Sequence, residues 1–317
     1  MTGGGTAGHV YPILAVISDL QTLSATRGTD TEIRYMGAYG TFKERIEENA
    51  VRVQRIAGSK LRRYFSFGNL IDVPKLFWGI LQALVKVYLY MPDVVFSKGG
   101  PGSFPVVLAS KFYRIPIVVH ESDAIPSLNT KLASRFANTV AVSFASTVNS
   151  FPGKEVIYTG NPIREYLLTE QISGERAKGF FGFDPNRPLV LVLGSSQGAN
   201  KINDFILDTL LMLLGSVQIF HQTGPGNYER VLAEAAVMLK DQPEDIKDGY
   251  RAMGYFEKDM RIALQAADLV VSRAGASATF EIAAFGKPCI MIPLPPSVTP
   301  HQEANAIEYQ KAGATII

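Results

Sequence analysis

The chain has 317 residues, of which 47% are hydrophobic and 19% are charged, as in ordinary globular proteins with a substantial core. Its formal net charge of +2 is far below that of a general nucleic-acid binder, which argues against nucleic acid as a partner. The single cysteine, Cys289, excludes an internal disulfide and favours a reducing compartment.

Short apolar segments alternate with helical segments along most of the chain. The predicted strands of the first half are residues 32–36, 51–55, 93–97, 115–120, 139–144 and 156–159. Those of the second half are residues 189–194, 217–221, 250–254, 268–271, 289–292 and 314–317. Predicted helices include residues 11–23, 103–112, 202–214, 277–285 and 302–312. This alternation predicts an α/β protein with parallel sheets that are covered by helices on both faces.

Two separate series of strands predict two doubly wound, Rossmann-like domains, residues 1–163 and 164–317. The boundary is placed where Gly160-Asn161-Pro162 interrupts the pattern. Both ends look truncated. A glycine-rich turn opens the chain without a strand to lead into it, and residues 314–317 have the composition of a strand without a closing helix.

Four turns beside predicted strands and helices are rich in small residues, at residues 3–8, 99–102, 194–199 and 274–276. A turn of this kind that opens a helix directs unpaired N–H groups and the positive end of the helix dipole at one point. Such a point favours an anion such as a diphosphate. Most α/β proteins have several such turns, so a single one is weak evidence.

Ionisable residues stand at several of these positions. His9 is at the start of the first helix, where the dipole lowers the tendency of the ring to hold a proton and suits a base or a neutral partner. His120 ends the predicted strand 115–120, and Glu121 and Asp123 follow it, at the sheet edge where ligands bind in open α/β sheets. This cluster is also a candidate metal site, but three nearly adjacent loop residues give poor ligand geometry.

Residues 75–88 are apolar on nearly all sides, are flanked by lysines and contain the only tryptophan. The segment is too short to span a bilayer, but its composition is typical of a helix that lies in a membrane interface. The alternative is a buried helix that covers the first sheet. Phe77, Trp78 and Leu81 form the predicted membrane patch.

Taken in order, these motifs resemble the MurG family of glycosyltransferases, and the match runs from residue 2 to residue 317. It is carried by the segments GGTAGH at 4–9, PDVV at 92–95, GG at 99–100, HE at 120–121, TGNPIR at 159–164, SQGA at 196–199, SRAGA at 272–276 and HQEANA at 301–306. Each segment is modest, but their combination in this order is highly specific.

The resemblance implies a GT-B fold, in which two Rossmann-like domains face each other across a cleft. It implies an inverting transfer of N-acetylglucosamine, without a metal or cofactor, from UDP-N-acetylglucosamine to undecaprenyl-pyrophosphoryl-N-acetylmuramoyl-pentapeptide. That step converts lipid I to lipid II in peptidoglycan biosynthesis, and so serves cell shape and cell division. It further implies a peripheral protein at the cytoplasmic side of the bacterial cell membrane, in contact with anionic lipids.

The resemblance also implies site residues, with the donor held mainly by the second domain. The donor contacts carried over to this sequence are Thr6, Ala7, Gly8, Asp123, Arg164, Ser196, Gln197, Gly198, Phe256, Glu257, Arg273, Ala276, Ser277, Ala278, Thr279, Phe280, Glu281 and Gln302. The loop at Ser196 is expected to meet the diphosphate, and Glu281 the ribose hydroxyls. The glycines expected to receive the pyrophosphate of the acceptor are Gly4, Gly5, Gly99 and Gly100.

Inverting transfer needs a base for the acceptor hydroxyl and stabilisation of the departing UDP. His9 is the first candidate for the base, with Glu121 and Asp123 behind it. Helix-start N–H groups are expected to stabilise the leaving group.

Three alternatives stay open from the sequence. One is another GT-B enzyme of nucleotide sugars, such as a glycolipid synthase or an epimerase. Another is an inactive nucleotide-binding fragment. The third, a dinucleotide-dependent oxidoreductase, needs a Gly-x-Gly-x-x-Gly turn after a strand and an acidic residue about 20 positions later. Here the strand is missing, and the next suitable acid, Asp19, falls within a predicted helix.

Overall fold

The structure, a computed structural model, describes residues 1–58, 68–194, 198–256, 259–297, 299–313 and 315–316, with the side chains of residues 68–73 left out. The chain divides into two compact units, Met1–Glu165 and Tyr166–Ile317. None of the described helices combines the length and the apolar composition needed to cross a bilayer.

The first unit alternates strands and helices as the sequence predicts. Its strands are β1 (Arg34–Gly37), β2 (Arg52–Arg55), β3 (Val95–Ser97), β4 (Ile117–Glu121), β5 (Thr139–Val142) and β6 (Glu155–Tyr158). Its helices are α1 (Ala7–Arg27), α2 (Lys43–Glu47), α3 (Gly68–Tyr90), α4 (Ser103–Phe112) and α5 (Leu128–Ser134), and α6 (Glu165–Leu168) lies at the division. Strands β3 to β6 pair in parallel in chain order, and β1 pairs in parallel with β2.

Met1 and Thr2 join these two sets of strands. The N–H of Met36 on β1 donates to the carbonyl of Met1 at 2.9 Å, and Thr2 forms a parallel bridge with Ser97 on β3. Met1 and Thr2 therefore pair with β1 and β3 at a position where the sequence predicts no strand. As a result, the glycine turn that begins at Gly3 starts at the carboxyl edge of these strands. Strand order along this edge reverses between Met1–Thr2 and β3, which is the topological switch point of a doubly wound sheet.

The core of the first unit lies on both sides of α4. On one side Val106 and Ala109 pack with Ala83 and Val87 of α3. On the other side Val107 packs with valines and isoleucines of β4 and β5. Strands buried on both faces need continuous apolar runs, which is why these segments are readable in the sequence.

The second unit is a more extended parallel sheet in the order β12-β11-β10-β7-β8-β9. Its strands are β7 (Leu189–Leu193), β8 (Gln218–Gln222), β9 (Tyr250–Met253), β10 (Leu269–Ser272), β11 (Cys289–Met291) and β12 (Thr315–Ile316). Its helices are α7 (Gly174–Phe180), α8 (Asn200–Asp208), α9 (Leu210–Leu214), α10 (Tyr228–Leu239), α11 (Glu244–Lys247), α12 (Met260–Ala266), α13 (Ala276–Ala284) and α14 (Pro300–Lys311). The order reverses between β7 and β10, which defines the switch point of this unit.

The structure confirms the predicted α/β class and corrects two details. The helix predicted over residues 202–214 is two helices, because Thr209 leaves the helical region (φ −107°, ψ 4°) between α8 and α9. The first helix begins at Ala7, ahead of the predicted residue 11. Two residues of the last predicted strand, Ala314 and Ile317, lie outside the described residues.

A buried polar group joins three elements of the second unit. The ring of His221 on β8, which is 0% exposed, hydrogen-bonds Asn203 of α8 at 3.0 Å and the hydroxyl of Tyr250 on β9 at 3.1 Å. Asn203 in turn donates to the carbonyl of Thr223 at 2.9 Å, just behind β8. Burial lowers the pKa of His221 to about 4, so the ring is neutral at neutral pH.

This lowered pKa predicts that acid destabilises the second unit. The unfolded chain binds a proton at His221 below about pH 6.5 while the folded chain does not, so stability falls as the pH drops from about 6.5 towards 4. Between about pH 7 and pH 5 the loss from this group is about 2 kcal/mol, or about 4–8 °C in melting temperature. Melting curves at both pH values for the native chain and for His221→Gln measure it. We expect a smaller shift in the variant, and equal shifts would contradict the assignment.

Candidate functional site

Two glycine turns touch each other at the carboxyl edge of the first unit. A Cβ added to Gly100 would lie 2.8 Å from Cα of Gly4 and 3.0 Å from Cε1 of His9. Gly99 and Gly100 have φ angles of +76° and +84°, in the left-handed region that favours glycine. Backbone at this spacing leaves room for a ligand's phosphate where side chains would block it. Gly5 is equally close to its neighbour, since a Cβ there would lie 2.5 Å from the N–H nitrogen of Gly40.

His9 sits over this junction in the first turn of α1. Its Nδ1 lies 2.8 Å from the hydroxyl of Thr6, the residue that precedes the helix. Burial, and next the ammonium of Lys98, lower the pKa of His9 to about 4, so the ring is neutral at neutral pH. The sequence predicts this direction, but from the helix dipole, and the main cause is burial. In the tautomer with its proton on Nδ1, which then donates to the hydroxyl of Thr6, Nε2 is the nitrogen that can accept a proton.

The other residues predicted at the start of α1 are accessible. Thr6 and Gly8 are exposed and Ala7 is half-buried. A Cβ added to Gly8 would meet no atom within 4 Å. These positions therefore present backbone and small side chains on the same edge as His9.

Glu121 braces a loop. It is buried, and its two carboxylate oxygens accept the backbone N–H groups of Asp123 at 3.0 Å and Ser127 at 2.9 Å. Burial, followed by the charge of Asp123, raises the pKa of Glu121. Asp123 itself is half-buried. Within the described ranges no group of three or more His, Cys, Asp or Glu side chains is arranged to hold a metal ion.

Sequence reasoning misses Lys98, which follows β3 directly. The side chain is buried and its ammonium donates to the hydroxyl of Ser122. Burial lowers the pKa of Lys98 to about 8, against the opposing effects of Glu121 and Asp123. The available signal is a lysine between the end of a buried strand and a glycine pair, a position where an apolar residue is expected.

Arg164, the predicted donor contact near the domain boundary, is buried within the first unit. Its guanidinium lies 4.5 Å from the centre of the Tyr11 ring of α1. The planar cation is thus stacked on an aromatic face.

In the second unit, the small-residue turns after β7 and β10 lie on either side of the switch point. Gly198, with φ +84°, approaches the next turn so closely that a Cβ would lie 2.4 Å from the carbonyl oxygen of Thr223. Parallel pairing of β7 with β10 brings the ends Leu193 and Ser272 side by side. Ser196 and Gln197, in the turn after β7, and Glu257 lie outside the described residues.

The turn after β10 leads into α13, and the residues around it support its backbone. Arg273 donates to the carbonyls of Ile292 at 3.0 Å and Pro293 at 3.4 Å, and Asn305 donates to the carbonyl of Ala274 at 3.1 Å. Of the predicted contacts on α13, the half-buried ones are Ser277, Ala278, Phe280 and Glu281, and the buried ones are Ala276 and Thr279.

Two further residues predicted to contact the UDP-sugar each have one polar group hydrogen-bonded within the protein. Phe256 is fully buried, and its N–H donates to Gln222 Oε1 at 3.1 Å, so its side chain is a core group. Gln302, at the start of α14, accepts the N–H of Leu294 at 3.0 Å through Oε1. Its amide nitrogen is the part left for a ligand.

The predicted membrane patch lies on the outer face of α3. Phe77, Trp78 and Leu81 are 66%, 59% and 42% exposed. Val85, Tyr88 and Leu89 extend this stripe at helical spacing. We call these six residues the α3 stripe. The opposite face is held to the sheet by the close approach of Gly79 to the carbonyl of Ala57 and by the bond from the N–H of Ala57 to Gln82 at 3.0 Å.

Comparison with known proteins finds the same family in both halves of the chain. Residues 1–142 match the glycosyltransferase family 28 N-terminal domain, and residues 189–317 match the family 28 C-terminal domain. A Bacillus cereus protein named UDP-N-acetylglucosamine–N-acetylmuramyl-(pentapeptide) pyrophosphoryl-undecaprenol N-acetylglucosamine transferase 2 is 39% identical over 296 residues, which cover 92% of this chain and 78% of the relative.

Two further comparisons cover nearly the whole chain. The transferase of the same name from Clostridium kluyveri is 38% identical over 320 residues, covering 100% of this chain and 85% of the relative. Among solved structures, that of Acinetobacter baumannii MurG superposes with a TM-score of 0.71 at 26% identity, covering 99% of this chain and 83% of that one. The predicted GT-B fold and family are thereby confirmed.

The contact between the two glycine turns predicts a strong effect of one methyl group. Gly100→Ala places a Cβ against Gly4 and forces a non-glycine residue to φ +84°, so we expect a loss of about 2 kcal/mol or more and a melting temperature lower by about 4–8 °C. Gly8→Ala, in open space in the first turn of α1, is the control and is expected to melt at or above the native temperature. Equal melting of both variants would show that the close approach is absent.

Proposed function

This chain belongs to glycosyltransferase family 28 and within it to the MurG family, and we propose that it transfers N-acetylglucosamine from UDP-N-acetylglucosamine to undecaprenyl-pyrophosphoryl-N-acetylmuramoyl-pentapeptide. The reaction forms lipid II from lipid I in peptidoglycan biosynthesis. The structural observation that carries the proposal is the orientation of His9. A neutral imidazole is held by Thr6 directly over two touching glycine turns.

The second unit is proposed to bind the donor. The end of β7 and the start of α13 flank the switch point, and the N–H groups at the starts of α8 and α13 suit the diphosphate of UDP. Arg273 is engaged by two carbonyls, so we assign it to support of the loop. Glu281 is proposed to bind the ribose hydroxyls, and the amide nitrogen of Gln302 to donate to the sugar.

The uracil is proposed to meet backbone around Phe256. Because the side chain is buried and the N–H is bonded to Gln222, the contact left to this residue is its carbonyl. Ser196, Gln197 and Glu257 keep the roles that the family resemblance implies. Arg164, stacked on Tyr11, is proposed to reach the donor from the first unit.

The chemistry needs one proton transfer and one displacement. We propose that Nε2 of His9 takes the proton of the acceptor hydroxyl as its oxygen bonds to C1 of the sugar. The C1–O bond to the diphosphate breaks, UDP leaves with the electron pair, and the configuration inverts. A pKa of about 4 keeps the lone pair available over the physiological pH range. Glu121 is less suited to this role, because backbone N–H groups bind both of its oxygens.

A transfer assay with His9→Gln tests both the reaction and the base. We expect the native protein to add one N-acetylglucosamine to the lipid-linked acceptor. In the variant we expect kcat to fall about 10²- to 10⁴-fold while the Kd for UDP-N-acetylglucosamine, measured by calorimetry, stays unchanged. Conversion of the donor to an epimer without any acceptor, or binding of NAD instead of the UDP-sugar, would overturn the transferase assignment. Native kcat in the variant would overturn only the role of His9.

We further propose that the protein binds the inner face of the cell membrane peripherally, through the α3 stripe. The stripe is a continuous apolar surface on a helix whose other face is fixed to the sheet. Phe112 at the end of α4 is also exposed and contacts Tyr113, which packs on Tyr88 of α3. The exposed cations Lys111 and Arg114 stand beside Phe112, so anionic lipids suit this surface.

Vesicle sedimentation tests this surface. Substitution of Phe77, Trp78 and Leu81 by serine is expected to weaken binding to anionic vesicles by about 10-fold or more, because each residue contributes apolar area to the contact. The matched control replaces Phe205, Leu211 and Met212, which are similarly exposed in the second unit, and is expected to bind as the native chain does. Circular dichroism verifies that both variants fold. Native binding by the folded α3 variant would exclude the stripe as the anchor.

A further inference from the structure

A row of polar side chains crosses the carboxyl edge of the first sheet. The ammonium of Lys98, after β3, donates to Ser122 after β4, and Ser122 donates to Asn161 Oδ1 at 2.9 Å, behind β6. The backbone fixes both ends of the row. The N–H of Lys98 donates to the carbonyl of Thr2 at 2.9 Å, and the carbonyl of Gly160 lies 3.0 Å from Nε2 of His120.

The direction of this row is forced. An ammonium only donates, so the Ser122 hydroxyl accepts a hydrogen bond from Lys98 and donates its own O–H to the amide oxygen of Asn161. The row therefore ends in hydrogen-bond donors on both sides: the ammonium hydrogens of Lys98 that do not bond Ser122, and the amide N–H groups of Asn161. Asn161 Nδ2 is buried and makes no hydrogen bond to any described residue.

Lys98 is an incompletely compensated charge. It is 4% exposed, and among the described residues its ammonium has the Ser122 hydroxyl as its one hydrogen-bond partner and no carboxylate within 4.0 Å. A buried charge without an ion pair costs several kcal/mol, which proteins accept where a ligand supplies the counter-charge. Burial lowers the pKa of Lys98, and the nearby charges of Glu121 and Asp123 offset this only in part.

We propose that Lys98 binds the pyrophosphate of the acceptor, with Ser122 and Asn161 holding its ammonium at the glycine turns. The inference rests on the proposed function and adds a specific cation to the acceptor side. Gly99 and Gly100 follow Lys98 directly, and Gly100 touches Gly4, so an anion on these turns lies beside the lysine. The ammonium supplies the positive charge that the glycine turns lack. The same groups would recognise the phosphate oxygens of a free phosphate or pyrophosphate.

Steady-state kinetics of Lys98→Met tests the proposal, with Lys131→Met, an exposed lysine on α5, as the matched control. Loss of one charge-assisted hydrogen bond predicts a KM for the lipid acceptor that is about 10- to 100-fold higher, with the KM for UDP-N-acetylglucosamine unchanged. Ser122→Ala keeps the charge of Lys98 but removes the hydroxyl that holds its ammonium in place. In this variant the KM for the lipid acceptor is expected to rise about 3- to 5-fold. Thermal melting verifies folding, which removal of a buried charge tends to leave intact.

The pH dependence gives a second readout. The titratable groups around Lys98 are the carboxylates of Glu121 and Asp123 and the rings of His9 and His120. In the native chain kcat/KM for the acceptor is expected to fall as the pH rises through about 8, where the ammonium loses its proton. This fall is expected in Lys131→Met and not in Lys98→Met.

Direct binding of inorganic pyrophosphate separates this inference from the proposed function. One charge-assisted hydrogen bond corresponds to a difference of more than about 10-fold in affinity. If the native chain transfers no sugar but binds pyrophosphate tighter than Lys98→Met by this factor, the anion site at Lys98 is supported and the transferase assignment is not. If the native chain transfers sugar and Lys98→Met keeps the native acceptor KM and pyrophosphate affinity, the inference on Lys98 is overturned and the transferase stands.

Discussion

Close approach of backbone to backbone at the carboxyl edges of the two sheets is the constraint on which the rest of this structure depends. In the first unit Gly4 meets Gly100, and in the second Gly198 meets the carbonyl of Thr223. Each contact leaves no room for a Cβ. The first stands at the switch point of its unit, and the second joins the turns after β7 and β8, next to the switch point between β7 and β10. Helices start beside these turns, so donors and dipoles collect at the same edge. This geometry and the absence of side chains support the phosphate sites proposed at these edges.

Tight turns of this kind need support from groups behind them, and buried polar side chains supply it. In the second unit Asn203 donates to the carbonyl of Thr223 and is itself held by His221, and Asn305 donates to the carbonyl of Ala274. In the first unit Glu121 binds the loop that leads to α5. These groups bear the desolvation cost of burial, visible as the lowered pKa of His221 and the raised pKa of Glu121. Glu121, which the sequence offers as a candidate base, thus also braces a loop in the structure.

The sequence predicts the strands of both sheets well, because segments buried on both faces must be continuously apolar. The glycine turns and the position of His9 at a helix start are also readable, because each is marked by a short local sequence pattern. It misses the break at Thr209 and the engagement of Phe256, since both depend on packing between distant segments. Lys98 is missed because a charged residue next to a strand is ordinarily solvated, and only the fold shows that Ser122 and Asn161 enclose it.

Helix α3 resolves an ambiguity that composition leaves open. Residues 75–88 are apolar on nearly all sides, which fits either a core helix or an interfacial one. In the structure Ala83 and Val87 are buried against the first unit while Phe77, Trp78 and Val85 are exposed. An ordinary amphipathic helix places polar residues on its outer face, because water is its second neighbour. The apolar outer face of α3 suits an apolar second neighbour such as the lipid proposed above, so the core and the interfacial interpretations of this helix are compatible.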